Sequence, residues 1–189
     1  MPRVWIVAIV IMMVATGCTQ ATTGGDAPAT PAMEQKATAS SAHPESKVGA
    51  CELLTPGEIA GFLKVTQVKK DDLNSGKNEM TKVDFCNWYV KEGSSQGIEI
   101  RLRRAESADE GSAMAVFSAA KGDAVENDAE RDRKAQPISG VGDEAVYSPY
   151  PVGDGGNIAF RTGASAVTIT GSASRETLVA MAKLVAQRL

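Results

Sequence analysis

Histidine is almost missing from this chain. The single one, His43, stands in a stretch too polar to fold, so the part that can build a core has none. That removes the commonest general base and the commonest metal ligand from any site there. Aromatic residues are also scarce, at 5%, and a core must rely on Val, Ile, Leu, Met and Ala. Cysteine is limited to Cys18, Cys51 and Cys86. A strong charge of either sign is lacking as well: the net charge is −3, and such a mildly acidic chain does not carry the basic footprint of a nucleic-acid binder.

One long apolar run is present, at the very start. Arg3 supplies a positive charge, and Val4 to Ala15 follow without a polar residue. At about 1.5 Å per helical residue this run spans roughly 18 Å, short of a hydrocarbon core about 30 Å thick. Residues 1–17 therefore read as a signal peptide. The sequence Ala15-Thr16-Gly17-Cys18 resembles the lipobox of bacterial lipoproteins, with Ala15 where that family prefers Leu. The resemblance implies diacylglyceryl transfer to the Cys18 thiol, cleavage before it, and acylation of the new amino terminus. Several acyl chains anchor stably where one is marginal. The alternative is a soluble secreted protein cut by the ordinary signal peptidase, since a small-x-small site lies nearby. Thr19 differs from the Asp of an inner-membrane retention signal, so the resemblance implies the periplasmic side of the outer membrane in a diderm host. In any other host it implies the outer face of the plasma membrane.

Residues 19–50 are rich in Ala, Thr, Ser, Pro and Gly, with Met33 and Val48 as the only large aliphatics. Such a segment buries too little apolar surface to offset its ordering entropy. With Cys18 it forms an expected tether over 18–50, with an end-to-end distance of roughly 30 Å as a random coil. The remaining residues, 51–189, suit one domain and are too few for two cores.

In that domain Thr55-Pro56-Gly57-Glu58 is a capping box with Pro at the first helical position. Leu54 and Ile59 sit where a hydrophobic staple forms. A helix is expected over 56–63. Residues 83–90 and 98–103 read as strands joined by a turn at 92–97, with Ile98, Ile100 and Leu102 facing inward and Arg101 and Arg103 outward. Ser107 and Glu110 suggest a second capping box, opening a helix that carries Met114 and Phe117. The charged segment 121–137 reads as a solvated helix or loop. A strand at 145–147, a Pro/Gly loop at 149–156 and a hairpin of 158–161 with 166–170 follow. Leu178, Met181, Ala182, Val185 and Leu189 mark an amphipathic final helix. Strands arriving as hairpins imply an α+β fold, an antiparallel sheet with helices packed on it. The C-x-L-L-T-x-x-E opening, the C-x-W strand, the G-x-G-D-x-A turn and the final helix resemble uncharacterised actinobacterial lipoprotein domains. Some of these have a PsbP-like α+β fold, and the family lends no established chemistry.

With Cys18 lipidated, Cys51 and Cys86 form an even pair in an exported domain, where a disulfide is the default. The alternative is a pair of free or metal-binding thiolates, without a second ligand pair nearby.

Three motifs invite chemistry. Gly93-Ser94-Ser95-Gln96-Gly97 matches the hydrolase elbow G-x-S-x-G, but it lies between strands and lacks a histidine partner. Gly140-Val141-Gly142-Asp143-Glu144-Ala145 matches a dinucleotide fingerprint, yet it precedes a strand instead of opening a helix. The acids Asp123, Glu126, Asp128, Glu130 and Asp132 are interleaved with Lys and Arg, the pattern of a salt-bridged surface more than of a calcium site. No catalytic residue, metal ligand or cofactor is assigned. The expected function is a membrane-anchored, non-catalytic binding domain for an envelope protein or ligand. Its candidate surface comprises Arg101 and Arg103 with Tyr147 and Tyr150 of the segment 147–151. A carboxylate-dependent envelope enzyme and a structural accessory subunit stay open as alternatives.

Overall fold

Thr55 opens the first helix as its sequence requires. Its hydroxyl accepts the Glu58 N–H and the Glu58 carboxylate accepts the Thr55 N–H at 2.8 Å. The helix, α1, runs Pro56–Leu63, and the staple residues Leu54 and Ile59 are both fully buried. The computed structural model describes residues 47–91 and 96–189. The signal peptide, Cys18, nearly all of the expected tether and Gly93, Ser94 and Ser95 lie outside the described residues.

The domain's packing begins before Cys51. Val48 packs against the core, and Ala50, in a 3-10 turn over Ala50–Glu52, is wholly buried. The Ala50 N–H donates to Asp84 Oδ2 at 2.8 Å, and Arg104 donates to the Val48 carbonyl. Composition alone assigned residues 47–50 to the tether; specific hydrogen bonds place them on the domain.

Eight strands form one antiparallel sheet: β1 Lys69–Lys70, β2 Gly76–Asn78, β3 Val83–Tyr89, β4 Gly97–Arg104, β5 Gln136–Pro137, β6 Glu144–Pro149, β7 Gly156–Thr162 and β8 Ser165–Gly171. Their order is β1-β3-β4-β8-β7-β6-β5, with β2 also paired to β3. Since β4 takes one edge of β3, β1 and β2 share the other, end to end. The sheet thus closes on one side with two- and three-residue strands carrying Lys69, Lys70 and Lys77, and on the other with the two-residue strand that contains Pro137. Both expected hairpins are present, β3 with β4 and β7 with β8.

The alternation of side chains assigns each face of the sheet. Cys86, Trp88, Ile98, Ile100, Leu102, Ile158, Phe160, Val167 and Ile169 share the large core with α1 and the final helix α4, Arg175–Ala186. Leu178, Met181, Ala182 and Val185 of α4 are fully buried, as their spacing requires. Cys51 and Cys86 are joined by a disulfide that ties the 3-10 turn to β3. The other face carries α2, Glu110–Ala124, over β7 and β8. Small residues permit this close approach: Ala120 and Ala124 of the helix meet Ala159 and Ala166 of the sheet, with Phe117 beside them. Thr168 donates to the Ala120 carbonyl at 3.1 Å and Asn157 to that of Ala124 at 2.6 Å.

Two local expectations change. The cap of α2 is Asp109, not Ser107: its carboxylate accepts the Ser112 N–H at 2.9 Å, and the Ser107 hydroxyl donates to the same carboxylate. Glu110 therefore opens the helix and is not the third residue of a box. The charged segment is not wholly solvated. It breaks where Glu126 and Asn127 take positive φ, then forms α3, Ala129–Lys134. From α3, Arg131 turns inward to donate to Ala124 at 3.3 Å while pairing with Glu126 at 2.7 Å.

The bridge closes a separation of 35 residues. Replacing Cys51 and Cys86 together by Ala should lower the unfolding free energy in urea by about 4 kcal/mol, the loop-entropy contribution of such a closure. A second expectation concerns acid. Arg188 holds α4 to α1 through Glu58 at 3.0 Å, and with the Thr55 N–H it lowers the Glu58 carboxyl from 4.5 to about 2. A lowered carboxylate adds stability that is complete above its unfolded value and vanishes as pH falls toward the folded one. Between pH 4.5 and 2 the urea midpoint of Glu58→Gln should fall less steeply than that of the native chain. Equal slopes would show that the ion pair does not hold the helices together.

Candidate functional site

The expected binding surface does not exist as one surface. Tyr147 lies in β6 and is buried on the face toward α4, where its hydroxyl donates to the Gly155 carbonyl at 3.0 Å. The Arg175 guanidinium stands 5.7 Å from its ring. Ser148 is fully buried, and the strand expected over 145–147 extends to Pro149. Tyr150 is half-buried beside Glu99, Asn87 and Thr170, and burial followed by the Glu126 charge pushes its phenol up.

Arg101 and Arg103 lie on the opposite face from Tyr147, the one that α2 roofs. Asp123 of α2 reaches down between them, 2.6 Å from Arg103 and 3.6 Å from Arg101. Arg101 also pairs with Glu99, and Arg103 retains only 16% of its side-chain exposure. The sequence placed these arginines on an outward face. They point there, but a helix that no strand pattern announces covers part of that face. Arg103 is enclosed by the fold, whereas Arg101 is paired but keeps 41% of its side-chain exposure.

Cations do gather elsewhere. A groove of about 810 Å³ opens between the β2–β3 turn, the end of β4 and the first half of α2. This is within the range of small-ligand sites. Its basic residues come from separate parts of the chain: Lys47 before the 3-10 turn, Lys77 in β2, Lys82 at the start of β3, and Arg103 and Arg104 at the end of β4. Asp84 and Glu106 are its acids, and Asp84 is engaged with the Ala50 N–H. Arg103 is held by Asp123, and Arg104 donates to Val48. Lys77 and Lys82 are exposed and share the single carboxylate of Glu79, at 3.2 and 3.7 Å. Lys77 chiefly lowers that carboxyl. Exposed pairs of this kind are weak, so both ammonium groups remain accessible to another anion. On the helix side the groove is apolar, with Ala115, Val116 and Ala119.

No protein-family model matches the chain, and no curated protein matches it. Among the described residues, no group of three or more His, Cys, Asp and Glu could hold a metal ion, and no helix is long and apolar enough to cross a membrane. Gly140 and Gly142 take positive φ in a turn that leads into β6. At Gly142 a side chain would strike the Arg161 carbonyl, with its Cβ at 2.1 Å. Glycine is needed there for close backbone approach, and the helix that a dinucleotide site requires does not follow.

Sequence reasoning missed the groove because its lysines come from distant positions and two of them sit in the segment 64–82, which has no hydrophobic period. The one readable trace is Lys77-x-x-x-x-Lys82 around Met80, a basic turn with an apolar tip. The arginine cluster carries its own expectation. Asp123→Ala leaves Arg103 without its counter-charge and should destabilise the domain by about 1–3 kcal/mol. Urea unfolding checks it, and an unchanged midpoint would return Arg103 to the list of binding residues.

Proposed function

We propose that the domain is a non-catalytic binding module, held at the membrane surface through lipidated Cys18, and that the basic groove is its binding site. The observation that carries this reading is the convergence of Lys47, from the chain before the 3-10 turn, with Lys77 and Lys82 of the β2–β3 hairpin on one groove large enough for a small ligand. Structural needs do not explain the lysines, since they are exposed and no core contact depends on them. The groove suits a ligand with negative charge on one side and apolar surface on the other.

Anchoring and binding support each other. Lys47 lines the groove, so the chain leading back to Cys18 joins the domain at the groove's rim. A tether of roughly 30 Å keeps such a site near the membrane and raises its effective concentration toward ligands there.

The reading has a cellular test with two arms. Cys18→Ser should abolish acylation and diminish membrane fractionation. A photo-reactive residue at Ala119 should yield a discrete adduct in cells, which Lys82→Glu removes, while the same residue at Val152, away from the groove, yields none. An Ala119 adduct indifferent to Lys82→Glu would refute the groove as the site. Turnover of an envelope substrate lost on changing one carboxylate would refute the non-catalytic reading.

A further inference from the structure

Resting on that reading of the groove, we infer that its ligand is an anionic phospholipid, with the phosphate seated among Lys47, Lys77 and Lys82 and the apolar part lying toward α2 and Met80. Two observations converge on a ligand of this mixed kind.

The first is charge. The groove holds five cations and two acids. The two arginines are committed within the fold, and the three lysines face solvent. Ammonium groups bind phosphate as compact point charges. The second is apolar exposure at the same rim. Met80 is 92% exposed, in the turn between Lys77 and Lys82. A soluble polyanion gains nothing from a bare thioether, whereas an acyl chain or a bilayer interface does. Leu73, in the neighbouring turn between β1 and β2, is 95% exposed.

Lys47, Lys77 and Lys82 stand with Met80 on one side of the domain. Lysines beside an exposed apolar side chain are the pattern of an interfacial contact with anionic lipid.

The experiment uses the full chain with discs of phosphatidylcholine, or of phosphatidylcholine mixed with phosphatidylglycerol, or neutral discs with free glycerol phosphate added. Reductive methylation of lysines is followed residue by residue by mass spectrometry, with Lys64 and Lys183 as references. Methylation of Lys47, Lys77 and Lys82 should slow several-fold with phosphatidylglycerol alone, and the references should not change. Lys77→Glu with Lys82→Glu should abolish the effect at Lys47, and Met80→Ser should weaken it at all three lysines. Equal rates on both discs would overturn the inference. Equal slowing by free glycerol phosphate would overturn the lipid while leaving a binding groove in place. A Met80→Ser chain that behaves as the native one would also overturn it. The comparison between discs reads the groove whether or not the chain stays with neutral discs, so the anchoring reading stands or falls separately.

Discussion

The short segment ahead of the first helix must be fixed to the sheet, and much of the remaining structure depends on that constraint. A 3-10 turn of three residues has no cooperative stability of its own. Here it is held from four directions. The disulfide joins Cys51 to β3, Asp84 accepts the Ala50 N–H, Arg104 donates to the Val48 carbonyl, and Arg188 donates to the Leu53 carbonyl. Each contact joins residues at least thirty-four positions apart. Because the turn is fixed, Leu53 and Leu54 enter the core and α1 starts in register with α4. Because the turn is fixed, Lys47 also stands at the groove, so the same contacts serve the fold and the proposed site.

The two faces of the sheet solve different packing problems. Large aliphatic and aromatic side chains fill the space under α1 and α4. The α2 face is built from alanine and polar residues, and the helix lies close enough for Thr168 and Asn157 to reach its carbonyls. A close polar interface admits charge where a thick apolar one would not. Asp123 can therefore descend between Arg101 and Arg103, and Arg131 can turn beneath the end of α2. The groove arises where α2 leaves the sheet and the β2–β3 turn fails to follow it.

Much of the architecture was legible because it depends on local signals. Thr55, Pro56 and Glu58 mark a helix start by chemistry confined to four residues. The alternation from Ile98 to Leu102 and the spacing from Leu178 to Val185 declare one buried face each. The pairing of Cys51 with Cys86 followed from parity and compartment. What escaped was set by distant partners. Nothing near Arg103 announces Asp123, which sits twenty residues on and in another element. Tyr147 was legible as the end of a strand, but its burial was not: pairing with Ile158 turns its ring to the core side. Ser107 lost its cap to Asp109, a carboxylate two residues nearer the helix. The groove was illegible for the same reason: Lys47 joins Lys77 and Lys82 only after the chain before Cys51 is fixed.

The margins of the sheet bear on how the domain behaves at high concentration. On one side the last strand has two residues and includes Pro137, whose nitrogen has no hydrogen to offer. On the other the boundary is divided between two fragments dense in lysine. Neither margin presents a run of free amide and carbonyl groups long enough for a foreign strand to extend. Crowded proteins meet one another far more often than dilute ones, and a sheet with an open border would polymerise under such conditions. This one is finished at both ends, so crowding can raise its concentration without turning neighbours into a fibre.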